Sequence, residues 1–180
     1  ILYWGTSEWS AQEIMEAHMV ARERNLIAPV MEQSQYNMLT REKVEVEYAQ
    51  LYSTVGLGNT IWSPLASGIL SGKYADGLVK DTRLSMEGLE WLRDRNLTEA
   101  NLEIVSRIAE FAKDLNISLA NLAIAWCVSN MNVSTAIIGA SKLVQLKENL
   151  KSIELLPKMN SEMLEKIDLV LNNKPVHPMY

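Results

Sequence analysis

The sequence predicts an α/β fold: a parallel sheet with helices on its outer side, of the (β/α)8 barrel type, with about half of the barrel in this chain. Three observations lead there. Four short runs of β-branched and aromatic residues alternate with amphipathic helical stretches, the pattern of βα units and a parallel sheet. Each run stops abruptly at small or polar residues. Four βα units are half of an eight-stranded barrel, which takes roughly 250 residues, and this chain has 180.

In chain order, Ile1-Leu2-Tyr3-Trp4-Gly5 reads as a buried first strand. Because the first residue is Ile1 and the strand is already apolar, the chain reads as part of something longer. Ser10 and Glu13 form a capping box, and Ile14, Ala17, His18 and Ala21 fall on one face of the helix that follows. His18 belongs at its surface or boundary. Pro29 and Val30 open a second strand, Met31 to Tyr36, in which Gln33 is either a ligand-bonding residue or a plain strand terminator. Thr40 is placed to cap a helix with a Val44, Tyr48, Leu51 and Tyr52 stripe.

Thr60, Ile61 and Trp62 end a third strand at Ser63-Pro64, because proline cannot donate to a ladder. The stretch Gly56 to Tyr74 then supplies Ala66, Ser67, Gly68, Ser71, Gly72 and the cation Lys73. Hydroxyls, uncrowded amides and a lysine at a strand's carboxyl end can hold a phosphate; an ordinary βα connection with surface serines is the alternative. Residues 75–96 lack a clear period, carry Asp76-Gly77, Asp81, Arg83 and Gly88, and read as a lid or binding loop. Thr98 caps a helix with Leu102, Val105, Ile108, Ala112 and Leu115 inward. Ser118 caps another with Leu119, Leu122, Ala123 and Trp126 inward, and the adjacent Cys127 reads as core rather than nucleophile. Ser134 to Ile138 form a fourth strand, followed by Gly139-Ala140-Ser141 and a helix from Lys142 with a Leu143, Leu146, Leu150 stripe. Pro157 ends that region. Asn160 to Leu171 form a last amphipathic helix (Met163, Leu164, Ile167, Leu171), and 172–180, with His177, an irregular tail.

Composition narrows the function. An apolar content of 48% supports a sizeable core, and a net charge of −5 without a basic cluster argues against a nucleic-acid partner. The single cysteine excludes an internal disulfide and fits a reducing, cytoplasmic setting. No apolar run approaches the roughly 20 residues needed to cross a bilayer, so membrane insertion is not expected.

Four strand ends taken together go further: Tyr3-Trp4-Gly5-Thr6-Ser7; Glu32-Gln33; Trp62 to Gly68 with Gly72-Lys73-Tyr74; and Gly139-Ala140-Ser141 with Gln145 and Glu148-Asn149. In order and spacing they closely resemble the aldo-keto reductases, in the branch of the voltage-gated potassium channel β subunits and their plant and microbial relatives. The resemblance runs the length of the chain and matches the second half of the family's barrel, strands five to eight, so residues 1–180 read as its cofactor-binding half.

The resemblance implies NADP(H). Ser7 and Gln33 would bond the nicotinamide carboxamide, and Trp62 would stack on the ring. Ser63, Leu65 and Ser67, with Pro64 and Ala66 between them, would line the pyrophosphate, with Lys73 as counter-charge. Arg83 would lie by the adenine end. Gly139, Ser141 and Gln145 would receive the 2′-phosphoribose, and Glu148 and Asn149 the adenine. Charge-assisted bonds of this kind contribute roughly 1.5–3 kcal/mol each.

The resemblance also implies hydride transfer between nicotinamide and a small-molecule carbonyl or alcohol. The alternative is a non-enzymatic, channel-type β subunit sensing redox state through bound nucleotide, a homo-oligomer with an ion-channel partner. Two departures weaken the channel-subunit reading: Glu8 stands where that branch usually carries arginine, and Asp81 where tyrosine is common. The family's catalytic aspartate, tyrosine, lysine and histidine or asparagine belong to the first half of its barrel. No residue here matches them, and Tyr36, Tyr52 and Tyr74 are not substitutes. No catalytic residue and no metal ligand is therefore assigned.

Overall fold

The computed structural model describes residues 1–75 and 77–178. The first half of the chain runs β1 (Gly5–Ser7), α1 (Ala11–Arg24), β2 (Met31–Gln33), a π-helical turn (Lys43–Glu47), α2 (Ala49–Thr54) and β3 (Gly58–Trp62). Two 3-10 segments follow, Ala66–Ser71 and Arg83–Ser85, then α3 (Glu90–Asn96), α4 (Glu99–Asp114) and α5 (Leu119–Ser129). β4 (Val133–Ile137), α6 (Leu143–Leu150), a 3-10 segment (Lys151–Lys158) and α7 (Ser161–Leu171) complete it. The four strands make one parallel sheet in the order β1-β2-β3-β4, and the sheet is not closed. This is the expected α/β architecture, part of a (β/α)8 barrel.

Strand alternation decides what the sheet presents. Thr6, Glu32, Asn59, Ile61 and Val133 face the helices and are buried. Gly5, Ser7, Met31, Gln33, Gly58, Thr60, Trp62, Thr135 and Ile137 alternate with them on the concave face and are half-buried or exposed. The main core lies between the sheet and the helices. Ile61, Ile69, Leu70, Ile108, Leu122 and Ile167 pack there, and α5 is buried nearly all round, Cys127 included. A second core joins Ile14 of α1 to Tyr48, Leu51 and Leu57. Gly5 is required: a Cβ there would lie 2.1 Å from the Met31 sulfur.

Capping chemistry sets most helix starts as expected. Ser10 and Glu13 close both arms of their box, and Thr98, Ser118 and Asn160 each accept an amide three residues on. Other expectations are corrected. The first strand is Gly5–Ser7, with Ile1 to Trp4 exposed, because only β2 lies beside it and nothing covers its other side. β2 stops at Gln33; beyond it only a bridge from Gln35 to Trp62 continues the pairing. β4 begins and ends one residue earlier than expected. Thr40 caps nothing: the helical segment opens at Glu42 without a side-chain cap, and Thr40 is held instead in a bridge with Asn37.

Residues 75–96 are not one loop, since they include Arg83–Ser85 and α3. α3 lacks a side-chain cap and buries only Leu92 and Asn96, which leaves little periodicity to read. Leu102 is half-buried and Leu115, at its helix end, exposed. The α6 stripe of Leu143, Leu146 and Leu150 is exposed, because α6 buries Asn149 instead. Residues 172–178 carry no helix or strand, as expected of an irregular tail. Asp76, Met179 and Tyr180, part of the loop and tail expectations, lie outside the described residues.

One buried cation ties the end of the chain to its middle. Arg41 forms two bonds to Glu45 (2.9 Å each), one to Asp168 on α7 (2.8 Å) and one to Asn173 (3.2 Å), and stacks 5.1 Å above the Trp126 ring. Removing one member of a largely buried pair leaves the remaining charges short of their partner. Arg41→Ala should therefore lower unfolding stability by about 3–5 kcal/mol, read from denaturant midpoints; a change under about 1 kcal/mol, the worth of a surface pair, would contradict it.

The open edges generate a second expectation. Unpaired strand edges template further pairing, and a parallel sheet needs both faces covered. The purified 180-residue chain should sediment as associated species at micromolar concentration, whereas a compact, cooperatively unfolding monomer would contradict this.

Candidate functional site

Because the strands are parallel, their carboxyl ends and the loops after them gather at one end of the sheet. Ser7 and Gln33 are register partners there, and the Ser7 hydroxyl donates to the Gln33 carbonyl (3.0 Å). Trp62 ends β3 on the same concave face, one bridge beyond Gln33, and pairs with Ile137 of β4. The structure thus brings Ser7, Gln33 and Trp62 together as half-buried or exposed groups on one surface.

The chain after Trp62 folds back on itself in an uncommon conformation. Ser63 (φ 58°), Ala66 (φ 47°) and Ser67 (φ 59°) are left-handed without being glycine, and Gly68 follows at φ 96°. Such residues cost on the order of 1–3 kcal/mol each and persist only where surroundings hold them. Here the Asn37 amide donates to the Ser63 carbonyl (3.0 Å) and the Ser67 amide to the Ser63 hydroxyl (3.2 Å). The amides of the turn are spent within it: Ala66 donates to the Ser63 carbonyl (2.9 Å) and Gly68 to the Leu65 carbonyl (2.8 Å). Pro64 and Ala66 are buried, and Leu65 is half-buried. The exposed Lys73 ammonium lies 5.0 Å above the Tyr74 ring, and a Cβ on Gly68 would come within 2.8 Å of it. Arg83 is exposed on a 3-10 segment packed against Ala66–Ser71.

The third group follows β4. Gly139 and Ser141 are exposed. The Gln145 side-chain oxygen Oε1 accepts from the Ser141 amide (3.1 Å), the Ser141 hydroxyl (3.2 Å) and the Lys142 amide (3.1 Å), so it closes the start of α6. Glu148 is tied to Asn121 of α5 (3.1 Å) and to Lys151 (2.7 Å), and Lys151 holds its carboxyl below the ordinary range. Asn149 is buried, unlike the other members of this group.

Other tyrosines lie apart from this surface. The Tyr36 hydroxyl donates to Glu45 (2.8 Å) and the Tyr52 hydroxyl to the Val44 carbonyl (2.8 Å), both in the helical layer, where burial pushes both phenols up. Cys127 is fully buried with its thiol pushed up by burial. Two surface cavities also lie elsewhere. One of about 390 Å³ sits against α1, between Trp4, Trp9 and Ile27, and one of about 330 Å³ lies between Arg41, Trp126 and Asp168. Among the described residues, no group of three His, Cys, Asp or Glu could hold a metal, and no helix is long and apolar enough to cross a membrane.

Sequence reading named Glu8 only as a departure, yet it is the most connected residue of the site. Its Oε1 accepts from the Gln35 amide (2.7 Å) and the Trp62 indole (2.9 Å), and its Oε2 from the Lys43 ammonium (3.0 Å). Beneath it, Glu32 is fully buried, accepting from the Thr6 hydroxyl and the Trp9 amide. The adjacency of Glu8 to Ser7 at a strand end was the available signal.

Burial raises the Glu32 carboxyl above its usual range, against the opposing pull of the Thr6 hydroxyl and the Glu8 and Trp9 amides. A raised carboxylate pKa favours the protonated fold. Its stabilising contribution is complete below the ordinary value of about 4.3 and is lost as pH rises through the raised value. Relative to Glu32→Gln, the wild type should therefore lose stability as pH rises from about 4 through the raised value. Denaturant midpoints across that range check this; a difference that does not grow with pH would contradict it.

A family model described as the aldo/keto reductase family matches residues 1–172. A rice (Oryza sativa subsp. japonica) protein named probable voltage-gated potassium channel subunit beta is 49% identical over 174 residues, covering 96% of this chain and 53% of that protein. An Arabidopsis thaliana protein of the same name is 46% identical over 177 residues, covering 98% and 54%. The chain spans about half the length of the curated relatives it matches.

Proposed function

This chain belongs to the aldo/keto reductase family, and from that premise we propose that it is the NADP(H)-binding half of a carbonyl reductase whose complete form carries the proton donor elsewhere. The observation that carries the reading is the gathering of Ser7, Gln33 and Trp62 on one face at the carboxyl ends of adjacent strands, beside the left-handed 63–68 loop and Lys73. The residues present fit a dinucleotide phosphate. The exposed Lys73 beside the small residues of the 63–68 turn suits a pyrophosphate, and the exposed hydroxyl of Ser141 at the start of α6 suits a second phosphate.

In this reading Ser7 and Gln33 fix which face of a nicotinamide is presented, and Trp62 supports the ring. Ser63 to Ser67 and Lys73 hold the pyrophosphate, with Arg83 by the adenine end. Gly139, Ser141 and Gln145 receive the 2′-phosphoribose. Glu148 lies beside the adenine, and buried Asn149 shapes its wall. When bound, the cofactor supplies the hydride exchanged with a small carbonyl or alcohol. The chain's own contribution is to bind and orient, which converts a bimolecular encounter into a positioned one.

The names of the plant relatives support a second reading, a regulatory β subunit of a potassium channel working as a homo-oligomer through nucleotide bound at the same residues. NADPH oxidation by the complete protein with a panel of aldehydes favours the enzyme; nucleotide binding without turnover favours the regulator.

Two outcomes test the proposal. Purified residues 1–180 should show no measurable carbonyl reduction, since general acid catalysis supplies typically ~10²–10⁴-fold; turnover comparable to the complete protein would refute the division of labour. In the complete protein NADPH should bind more tightly than NADH, because Ser141 and Gln145 suit a 2′-phosphate rather than a free ribose hydroxyl. Equal affinities by calorimetry would refute the roles given to these two residues.

A further inference from the structure

Glu8 stands at the end of β1 in a left-handed conformation (φ 61°), a costly choice for a glutamate. That backbone turns its side chain across the ends of the next two strands. The Glu8 amide donates to the Gln33 carbonyl (3.2 Å), and Oε1 receives both the Gln35 amide after β2 and the indole N–H of Trp62 at the end of β3. Lys43 donates to Oε2 and to the Glu8 carbonyl oxygen (2.8 Å), and also lies 5.8 Å from the Tyr48 ring. One neutral acceptor oxygen would satisfy the Gln35 and Trp62 donors. The choice of a carboxylate therefore has a consequence beyond geometry. Burial would raise this carboxyl, but the Gln35 amide, Lys43 and the Trp62 indole together hold it below the ordinary range, so it is an anion at neutral pH.

We propose that Glu8 is a positioning residue that sets the redox preference of the site, its carboxylate on the Trp62 indole N–H favouring an oxidised, cationic nicotinamide over the neutral reduced ring. This rests on the reading that Trp62 supports the nicotinamide. An aromatic ring carries a negative face, and an anion bonded to its N–H shifts further electron density onto that face. A positive ring stacked there is attracted; a neutral one gains little. Only such a differential interaction can change the balance between two bound forms. Lys43 works against Glu8 by neutralising part of its charge, so the pair sets the preference between them.

The test measures the affinity of the complete protein for NADP⁺ and for NADPH by calorimetry, in the wild type, Glu8→Gln and Lys43→Met. Glutamine keeps an acceptor for Gln35 and Trp62 and removes the charge together with the Oε2 bond of Lys43, which retains the Glu8 carbonyl oxygen. Glu8→Gln should lower the preference for NADP⁺ relative to NADPH by about three- to tenfold, within the usual range of a cation–π contact. Tenfold corresponds to about 30 mV in the bound two-electron couple. Lys43→Met should move the ratio the opposite way. Ratios within twofold of wild type in both variants, or equal weakening of both nucleotides, would reduce Glu8 to a clamp and overturn the proposal. If the wild type binds neither nucleotide, the cofactor reading itself fails and takes this inference with it. A readout free of nucleotide is the indole N–H resonance of Trp62, identified by its loss in Trp62→Phe. It should shift in Glu8→Gln, and an unmoved resonance overturns the contact on which the proposal stands.

Discussion

A parallel sheet has to be covered, and here only one of its faces is. That asymmetry governs the rest of the structure. On the outer side, Ile61 and Val133 meet α5, whose residues Asn121 to Cys127 are all buried because the helix is enclosed by the sheet, α4, α6 and the 3-10 segments. Burying each large apolar side chain there contributes roughly 1.5–3 kcal/mol. The concave side gets none of this. Its residues are glycine, serine, glutamine, threonine and tryptophan, with Met31 and Ile137 the aliphatic exceptions, and they stay open at the strand ends. The covered face builds the fold, and the uncovered one carries the candidate site.

The buried layer also holds a chain of bonded polar groups. Ser34 donates to the Asn59 side-chain oxygen (3.2 Å), the Asn59 amide to the Tyr52 hydroxyl (2.6 Å), and that hydroxyl to the Val44 carbonyl (2.8 Å). Such a chain rewards one arrangement of β2, β3 and the segment around Tyr52 over any slipped alternative. Asn59 lies where the pairing with β4 shifts, Asn59 opposite Val133 but Thr60 opposite Thr135. The extra residue, Ser134, bends β4 locally. The same polar set that specifies the register therefore decides where Ile137 and the loop after it stand relative to Trp62.

Local chemistry was legible in the sequence wherever a few neighbouring residues decide the outcome. Ser10, Thr98, Ser118 and Asn160 announce their helices because a cap acts within one turn, and Pro64 announces the end of β3. α3 was missed because its start, Leu89, has no capping side chain and its Trp91 is exposed, so neither signal is present. Thr40 does not cap because the helical segment opens at Glu42, two residues later, while Asn37 holds Thr40 in a bridge. In the candidate site the residue types could be read but not the wiring. Glu8 meets Gln35, Lys43 and Trp62 across separations of 27, 35 and 54 residues, and no pattern of spacing reveals contacts of that reach.

Backbone strain points to the same place by a different route. Among the described residues, eight that are not glycine have positive φ. Asn25, Asn116 and Asn172 follow helix ends and Asp81 lies between helical segments, positions where Asn and Asp adopt this conformation at little cost. The remaining four are Glu8, Ser63, Ala66 and Ser67. None is a residue type that favours the left-handed region, and all four lie just beyond the carboxyl ends of β1 and β3. Each is held there by hydrogen bonds or by packing: the carboxylate bonds of Glu8, the Asn37 bond to Ser63, the Ser63 hydroxyl beneath Ser67, and the burial of Ala66. Strain of this kind inside a core would be lost stability without return, but here it is concentrated at the strand ends, where functional sites commonly store it. The open concave side and the backbone strain of Glu8, Ser63, Ala66 and Ser67 thus coincide at one end of the sheet.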